Sequence, residues 1–137
     1  MVIYCDGSVF HHYPGHPCYA AYVATDGSQV VAEWCGQVRA RDINQVELRA
    51  ILEALRWAAK KGLRRVKVYT DSMEAAFAVQ TAGRNSRYGG IARQIRRLVA
   101  KLEAVVVWVP RELNKIADRL LRRAAGKKKA GKPALKI

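Results

Sequence analysis

Hydrophobic positions divide the chain into short runs typical of strands and longer periodic stretches typical of helices. Apolar or alternating runs predict five strands, over 2–5, 18–25, 30–38, 66–70 and 104–109. Apolar residues at a helical spacing predict four helices, over 44–61, 72–81, 91–102 and about 112–124. The three opening strands are expected to be antiparallel, whereas the later helical crossovers imply parallel strands. The pattern therefore predicts a mixed α/β sheet with helices packed on its faces.

Other stretches do not fit a helix or a strand. Residues 9–17 contain two prolines and are expected to be a connection. Residues 83–90 predict a mobile, basic, glycine-rich loop that includes Arg84 and Arg87. The expected organisation is one domain over residues 1–125, followed by a lysine-rich, disordered tail over 126–137.

Four acids stand where side chains from different elements can meet. Asp6 and Asp71 each follow an apolar strand, and Glu47 lies in the first turn of a predicted helix. Asp118 shares a face of the last predicted helix with Asn114, four residues earlier. Because open α/β sheets bind ligands at the carboxyl ends of their strands, these carboxylates are the candidate site.

Each acid also has a purely structural explanation. Asp6 precedes a glycine in a dipeptide that is common in turns. Asp71 and Asn44 each stand three residues before a glutamate, which is the spacing of a helix capping box. Asp118 could pair with Arg122 one helical turn on, with little gain in stability. Convergence of the four acids would favour chemistry over these explanations.

Convergence of four carboxylates would require cations between them, because their mutual repulsion is otherwise prohibitive. Ligands that offer only oxygen favour a hard ion such as Mg²⁺ or Mn²⁺ over zinc. In a basic protein, a carboxylate-bound pair of such ions points to phosphodiester chemistry.

The charge predicts a polyanionic partner. The chain has 25 Lys and Arg against 11 Asp and Glu, a formal net charge of +14. One face of the predicted helix over 91–102 carries Arg93, Arg96, Arg97 and Lys101, which is either a phosphate-binding stripe or a solvated surface. The alternative explanation of this net charge is a solvated surface with a disordered, basic C-terminal end.

Other classes of protein fit the sequence poorly. No apolar run approaches the length of a membrane span, and no signal peptide is evident, so a cytoplasmic protein without membrane contact is expected. Three widely spaced cysteines without a CxxC pair favour free thiols. His11, His12 and His16 lie near Cys18, but their spacing matches no zinc finger or ribbon. A monomer is expected.

Four motifs, in order and on the expected elements, resemble the acidic motifs of type 1 ribonuclease H. They are Asp6-Gly7-Ser8, Asn44-Gln45-Val46-Glu47-Leu48, Thr70-Asp71-Ser72 and the stretch from Val109 to Asp118. The similarity spans about residues 1–124. It implies a five-stranded mixed sheet of order 3-2-1-4-5 and hydrolysis of the RNA strand of an RNA/DNA hybrid, leaving 5′-phosphate products.

The resemblance also implies roles for individual residues. Asp6 and Asp71 would bind two Mg²⁺ ions, for which Mn²⁺ could substitute, and Asp118 would complete the second metal site. Glu47 would bind one ion and sense the ribose 2′-hydroxyl, while Asn44 matches an asparagine that contacts the hybrid in the minor groove. Further substrate contacts are expected from Gly7, Ser8, Gln45, Ser72, Asn114, Arg84, Arg87, Arg93 and Arg97, and from the basic tail.

The sequence departs from the family pattern at two points. Many members carry a histidine in a longer loop before the last aspartate, whereas residues 108–118 contain none. Either turnover is slower or Arg111 or Glu112 takes that place. The extra basic helix of some relatives is also missing, so the chain resembles the shorter branch, whose last motif reads Arg-Glu-x-Asn-x-x-Ala-Asp.

These departures leave two competing functions open. One is a nucleic-acid-binding module on the same fold that does not cleave. The other is a related nuclease that acts on double-stranded RNA or on DNA junctions.

Overall fold

The structure is a computed structural model that describes residues 1–81 and 88–131. It contains five strands, β1 (Val2–Val9), β2 (Cys18–Asp26), β3 (Gln29–Val38), β4 (Lys67–Thr70) and β5 (Val105–Trp108). Four helices complete it, α1 (Ile43–Lys60), α2 (Met73–Gln80), α3 (Gly89–Leu102) and α4 (Lys115–Gly131), with a single 3₁₀ turn, Arg111–Leu113, before α4. Not one helix in these described residues is both long enough and apolar enough to span a membrane.

The strands form one mixed sheet of order β3-β2-β1-β4-β5. β1 pairs with β2, and β2 with β3, in antiparallel fashion, whereas β4 runs parallel to both β1 and β5. This arrangement confirms the predicted five-stranded mixed sheet of order 3-2-1-4-5 flanked by helices.

The helices lie on the two faces of the sheet because successive strand residues point to opposite sides. On one face, α1 buries Val46, Ile51 and Leu55 in a core that includes Ile3 and Val68 of the sheet. On the other face, Leu121 of α4 packs with Tyr19 and Ala21 of β2. Helix α4 thus covers the antiparallel half of the sheet, away from α1, α2 and α3.

β1 is longer than the sequence predicted. The apolar run ends at Cys5, but the strand continues to Val9 because β2 pairs with every residue along it, including Asp6 with Ala21. The prediction that Asp6 stands in a turn was therefore wrong. It lies within a strand, just beyond the part that pairs with β4.

The helix caps also differ from the predicted ones. The N-cap of α1 is Asp42, whose Oδ1 accepts from the backbone N–H of Gln45 at 2.9 Å. The N-cap of α2 is Ser72, whose hydroxyl accepts from the N–H of Ala75 at 3.0 Å. Because neighbouring residues cap the helices, neither Asn44 nor Asp71 is used as a cap.

Helix α4 ends seven residues later than predicted, at Gly131 instead of Ala124. Lysine and alanine after Gly126 are good helix formers, and they outweigh a single glycine. The predicted disordered tail over 126–137 therefore begins within this helix, and residues 132–137 lie outside the described residues. The boundary between domain and tail stays a prediction.

Candidate active site

The register of the parallel strands brings two of the acids to the same edge of the sheet. The last parallel pair of β1 and β4 is Cys5 with Thr70. Asp6 follows Cys5 and Asp71 follows Thr70, so both acids stand where the parallel pairing of β1 and β4 ends.

Glu47 reaches the same edge from the first turns of α1. The approach is close, because a Cβ on Gly7 would lie 2.7 Å from Val46 Cγ1 and 3.1 Å from the backbone nitrogen of Glu47. Only glycine lets α1 sit this near to β1 without a shift of the helix. Gly7 thus sets the depth at which Glu47 enters the site.

Three of the four predicted acids converge. Asp6, Glu47 and Asp71 each offer a carboxylate oxygen, and these oxygens all lie within 4.8 Å of one another. Asp118 lies outside this group. Its Oδ2 accepts from Arg122 Nε at 2.9 Å, which is the surface ion pair considered above as an alternative to a catalytic role. Its negative charge is still near enough to help raise the pKa of Asp6.

Burial and mutual repulsion both disfavour the ionised acids. Burial, followed by the negative charge of Asp71, raises the pKa of Asp6 to about 7, although the Gly7 N–H and the Arg111 guanidinium act in the opposite direction. Burial, followed by the charges of Asp6 and Asp71, raises the pKa of Glu47 well above its usual value. Asp6 and Glu47 therefore favour their protonated forms unless a bound cation replaces the protons.

The residues present fit a divalent cation. Glu47 Oε1 is buried, and in the described residues it accepts no hydrogen bond. Three oxygen ligands of this kind suit a hard ion such as Mg²⁺ or Mn²⁺. No other group of three or more such ligand side chains, the loop histidines included, is brought together in the described part of the chain.

Asn114 holds the two strand ends together from the residue before α4. Its Nδ2 donates to the carbonyl oxygen of Cys5 at 2.8 Å and to Asp71 Oδ2 at 3.3 Å. The residue is 0% exposed. These contacts give Asn114 a positioning role, which sequence spacing could not distinguish from a substrate contact because both place an amide near Asp118; the substrate contact stays a prediction.

Several other predicted substrate contacts are engaged in local structure. Gly7 donates its N–H to Asp6 Oδ1 at 2.9 Å, and Gln45 accepts the N–H of Arg41 at 2.7 Å. Ser72 caps α2, and Ser8 is a half-buried residue of β1 paired with Tyr19. These contacts fix the backbone around the acids.

Asn44 lies at the start of α1, half-buried and one helical turn before Glu47. Its Nδ2 donates to Tyr88 Oη at 3.4 Å, and that hydroxyl donates to Asp42 Oδ2 at 2.9 Å. The beginnings of α1 and α3 are therefore tied together beside the carboxylates.

The predicted basic contacts lie on α3 and in the segment before it. Arg93 and Arg97 are exposed on α3, as are Arg96 and Lys101. Arg84 and Arg87 lie outside the described residues.

Two residues at the site have roles that the sequence pattern did not predict. Trp108 Nε1 donates to the carbonyl oxygen of Asp71 at 3.2 Å, which adds a side-chain contact to the end of β4. Arg111 had been considered only as a substitute for a missing histidine, yet its charge lowers the pKa of Asp6. Both roles depend on the register between β4 and β5, which the sequence pattern does not specify.

A family model described as "Reverse transcriptase-like" matches residues 5–124. The chain belongs to this Reverse transcriptase-like family. Its match contains all four motif acids, whereas comparison with curated protein sequences gives no match. The ribonuclease H-like fold that the motifs implied is thereby confirmed.

Solved structures of ribonucleases H share the fold of this Reverse transcriptase-like chain. Ribonuclease H1 from Halobacterium salinarum is 24% identical with a TM-score of 0.74, over 87% of this chain and 92% of that one. An N-terminal ribonuclease H domain from Mycobacterium tuberculosis is 27% identical with a TM-score of 0.73, over 87% and 88%. LC11 ribonuclease H1, in complex with an RNA/DNA hybrid, is 24% identical with a TM-score of 0.73, over 87% and 91%.

Proposed function

We propose that this chain is a divalent-metal-dependent endonuclease that hydrolyses the RNA strand of RNA/DNA hybrids and leaves 5′-phosphate products. The observation that carries the proposal is the group of Asp6, Glu47 and Asp71, whose oxygens lie within 4.8 Å of one another at the carboxyl edge of the sheet. The likeness to LC11 ribonuclease H1, whose structure holds a hybrid, supports the choice of substrate.

The chain's own residues would bind the metal and position the substrate. Asp6, Glu47 and Asp71 would hold the ions, and Asn114 keeps the Asp71 carboxylate turned toward the group. When bound there, a pair of Mg²⁺ ions supplies charge neutralisation at the phosphate and a lower pKa for the attacking water. Rotation of the Asp118 side chain away from Arg122 would add a fourth carboxylate at low cost, because exposed ion pairs are weak.

The substrate is recognised without a sequence preference in this proposal. Asn44 and Glu47 face the same region from one turn of α1, where they can contact ribose hydroxyls of the RNA strand. The exposed arginines of α3, including Arg93 and Arg97, would contact phosphates. The cytoplasmic location and the monomeric state stay predictions from the sequence.

The experiment is a cleavage assay on strand-labelled RNA/DNA hybrid, double-stranded RNA, double-stranded DNA and a DNA junction, each with Mg²⁺ and with Mn²⁺. We expect cleavage of the RNA strand of the hybrid, its loss in Asp71→Asn and its persistence in Asp26→Asn, which changes the exposed last residue of β2. Cleavage of another nucleic acid in preference to the hybrid would assign the chain to a related nuclease.

A second candidate is a nucleic-acid-binding module that does not cleave. Two observations favour it, the Asp118 carboxylate paired with Arg122 outside the group and the absence of histidine from residues 108–118. This candidate predicts hybrid binding that a chelator leaves unchanged and that falls steeply with salt, together with no cleavage in either metal.

A further inference from the structure

The end of the sheet opposite the carboxylates carries a concentrated positive surface. It forms where the last turns of α1 and α3 meet the segment that leads into β4. We call it the distal basic surface, and its members, all exposed, are Lys60, Lys61, Arg64, Arg65, Lys67 and Lys101.

Specific contacts hold this corner of the molecule. The N–H of Arg65 donates to the Leu102 carbonyl at 2.8 Å, and Glu103 Oε1 lies 2.9 Å from Arg64 Nη2 and 3.8 Å from Arg65 Nε. Arg65 and Glu103 both adopt left-handed backbone conformations, with φ of 58° and 54°. Such conformations are unfavourable for non-glycine residues and persist only where their surroundings enforce them. The cations therefore project from a defined corner.

The positive charge exceeds what the helices need. Lysines in the last turns of α1 and α3 complement the helix dipoles, which accounts for Lys60 and Lys101. Arg64, Arg65 and Lys67 gain nothing from a dipole, because the first two precede β4 and the third begins it. Segments 60–67 and 98–103 contain one acid, Glu103, and Asp26 stands at the same end of the sheet as the last residue of β2.

The distal basic surface is too far from the carboxylates to act on the same phosphate. Lys60 follows Glu47 by thirteen residues along α1, which is about 20 Å. At physiological ionic strength, exposed charges are screened over about 8 Å. Any anion bound by these cations must therefore be a separate one.

We propose that the distal basic surface is a second nucleic-acid-binding site, which holds backbone phosphates away from the catalytic carboxylates. Lysine and arginine together suit phosphate oxygens. A membrane surface would call for exposed apolar side chains among the cations, but Val66 is buried and Leu63 is only half-exposed. The proposal takes nucleic acid as the partner from the proposed function and adds a second place of contact.

The test counts duplexes bound per protein. Native mass spectrometry in chelator would use a hybrid too short to reach both sites, with the parent and two triple variants. In one variant Lys60, Lys61 and Lys67 become Gln, and in the other they become Arg, which retains the charge. We expect two duplexes on the parent and on the Arg variant, and one on the Gln variant. The salt-dependent second binding step of the parent should be absent from the Gln variant.

Catalysis separates this surface from the active site. Single-turnover cleavage of a prebound hybrid by the Gln variant should stay within twofold of the parent rate. A parent that binds one duplex, or a Gln variant that still binds two, would overturn the proposal. The proposal would also be overturned if the Gln variant lost binding to phosphatidylserine vesicles but still bound duplexes as the parent does. If the parent binds two duplexes but does not cleave, the proposed function fails and the second site stands.

Discussion

At the scale of single residues, the candidate site depends on two buried positions that hold its acids in place. Asn114 joins the end of β1 to Asp71, and Gly7 admits α1 to its place beside β1. Both were predicted as substrate contacts. Their motifs could be read from the sequence, but their roles could not, because burial and close approach arise only when distant segments pack.

Replacement of Asn114 by alanine should lower stability. It would remove the donor to the buried Cys5 carbonyl and to Asp71 and open a cavity, at a cost of about 2–3 kcal/mol in the free energy of unfolding. Urea titration would measure the change, with Asn44→Ala as the matched control. Because Asn44 is half-buried and its hydrogen bond is long, we expect at most about 1 kcal/mol there. Equal losses in the two variants would refute a positioning role for Asn114.

Gly7→Ala should move Glu47. The new methyl group would meet Val46 Cγ1 at 2.7 Å, and relief of such crowding costs about 1–3 kcal/mol. Gly90→Ala is the control, since a Cβ there meets nothing within 4 Å and alanine is the better helix former. Thermal unfolding should show a lower midpoint for Gly7→Ala and an equal or higher one for Gly90→Ala. A Gly7→Ala variant with the stability and metal affinity of the parent would contradict this account.

At the scale of elements, hydrophobic periodicity predicted every strand and helix, and the order of elements predicted a mixed sheet. Ends were less accurate, because they depend on partners and caps. β1 continues through Asp6 because β2 pairs with it. The N-cap of α1 is Asp42 rather than Asn44 because the Asp42 carboxylate accepts the Gln45 N–H. Tyr88, which links α3 to Asp42, was assigned to a loop. Periodicity carries no information about such long-range bonds.

Removal of a helix cap tests these assignments. Asp42→Ala should cost about 1–2 kcal/mol, because Asp42 caps α1 and also accepts the Tyr88 hydroxyl. Ser72→Ala should cost about 1 kcal/mol through α2 alone. Chemical denaturation of the two variants would measure both values. A smaller loss for Asp42→Ala than for Ser72→Ala would argue against the link between α1 and α3.

At the scale of the whole molecule, the sheet gathers negative charge at one edge of a strongly basic protein. The sequence predicted the acids but not which of them would meet, because side-chain convergence depends on register. Three acids form the group, and Asp118 pairs with Arg122 instead. The ion pair could be predicted because its residues are four apart on one helix. The sequence could not show whether Asp118 would form this pair or join the other three acids.

The metal-free protein should lose stability as pH rises. Because the pKa of Asp6 rises from an ordinary 3.8 to about 7 on folding, the folded state keeps a proton between these values that the unfolded state has lost. Stability therefore falls across this window as pH increases, and Glu47 acts in the same direction. Urea unfolding in chelator at several pH values should show the fall, and Asp6→Asn should reduce it. An identical pH dependence in both proteins would contradict the shift.

The most direct test of the central claim is a calorimetric titration of the protein with Mn²⁺ at neutral pH. We predict binding with release of protons, since the ion replaces protons held by Asp6 and Glu47. The affinity should fall at least tenfold in Asp71→Asn and stay unchanged in Asp26→Asn. Binding of equal strength in the parent and Asp71→Asn, or no binding in the parent, would contradict a metal site built from these three carboxylates.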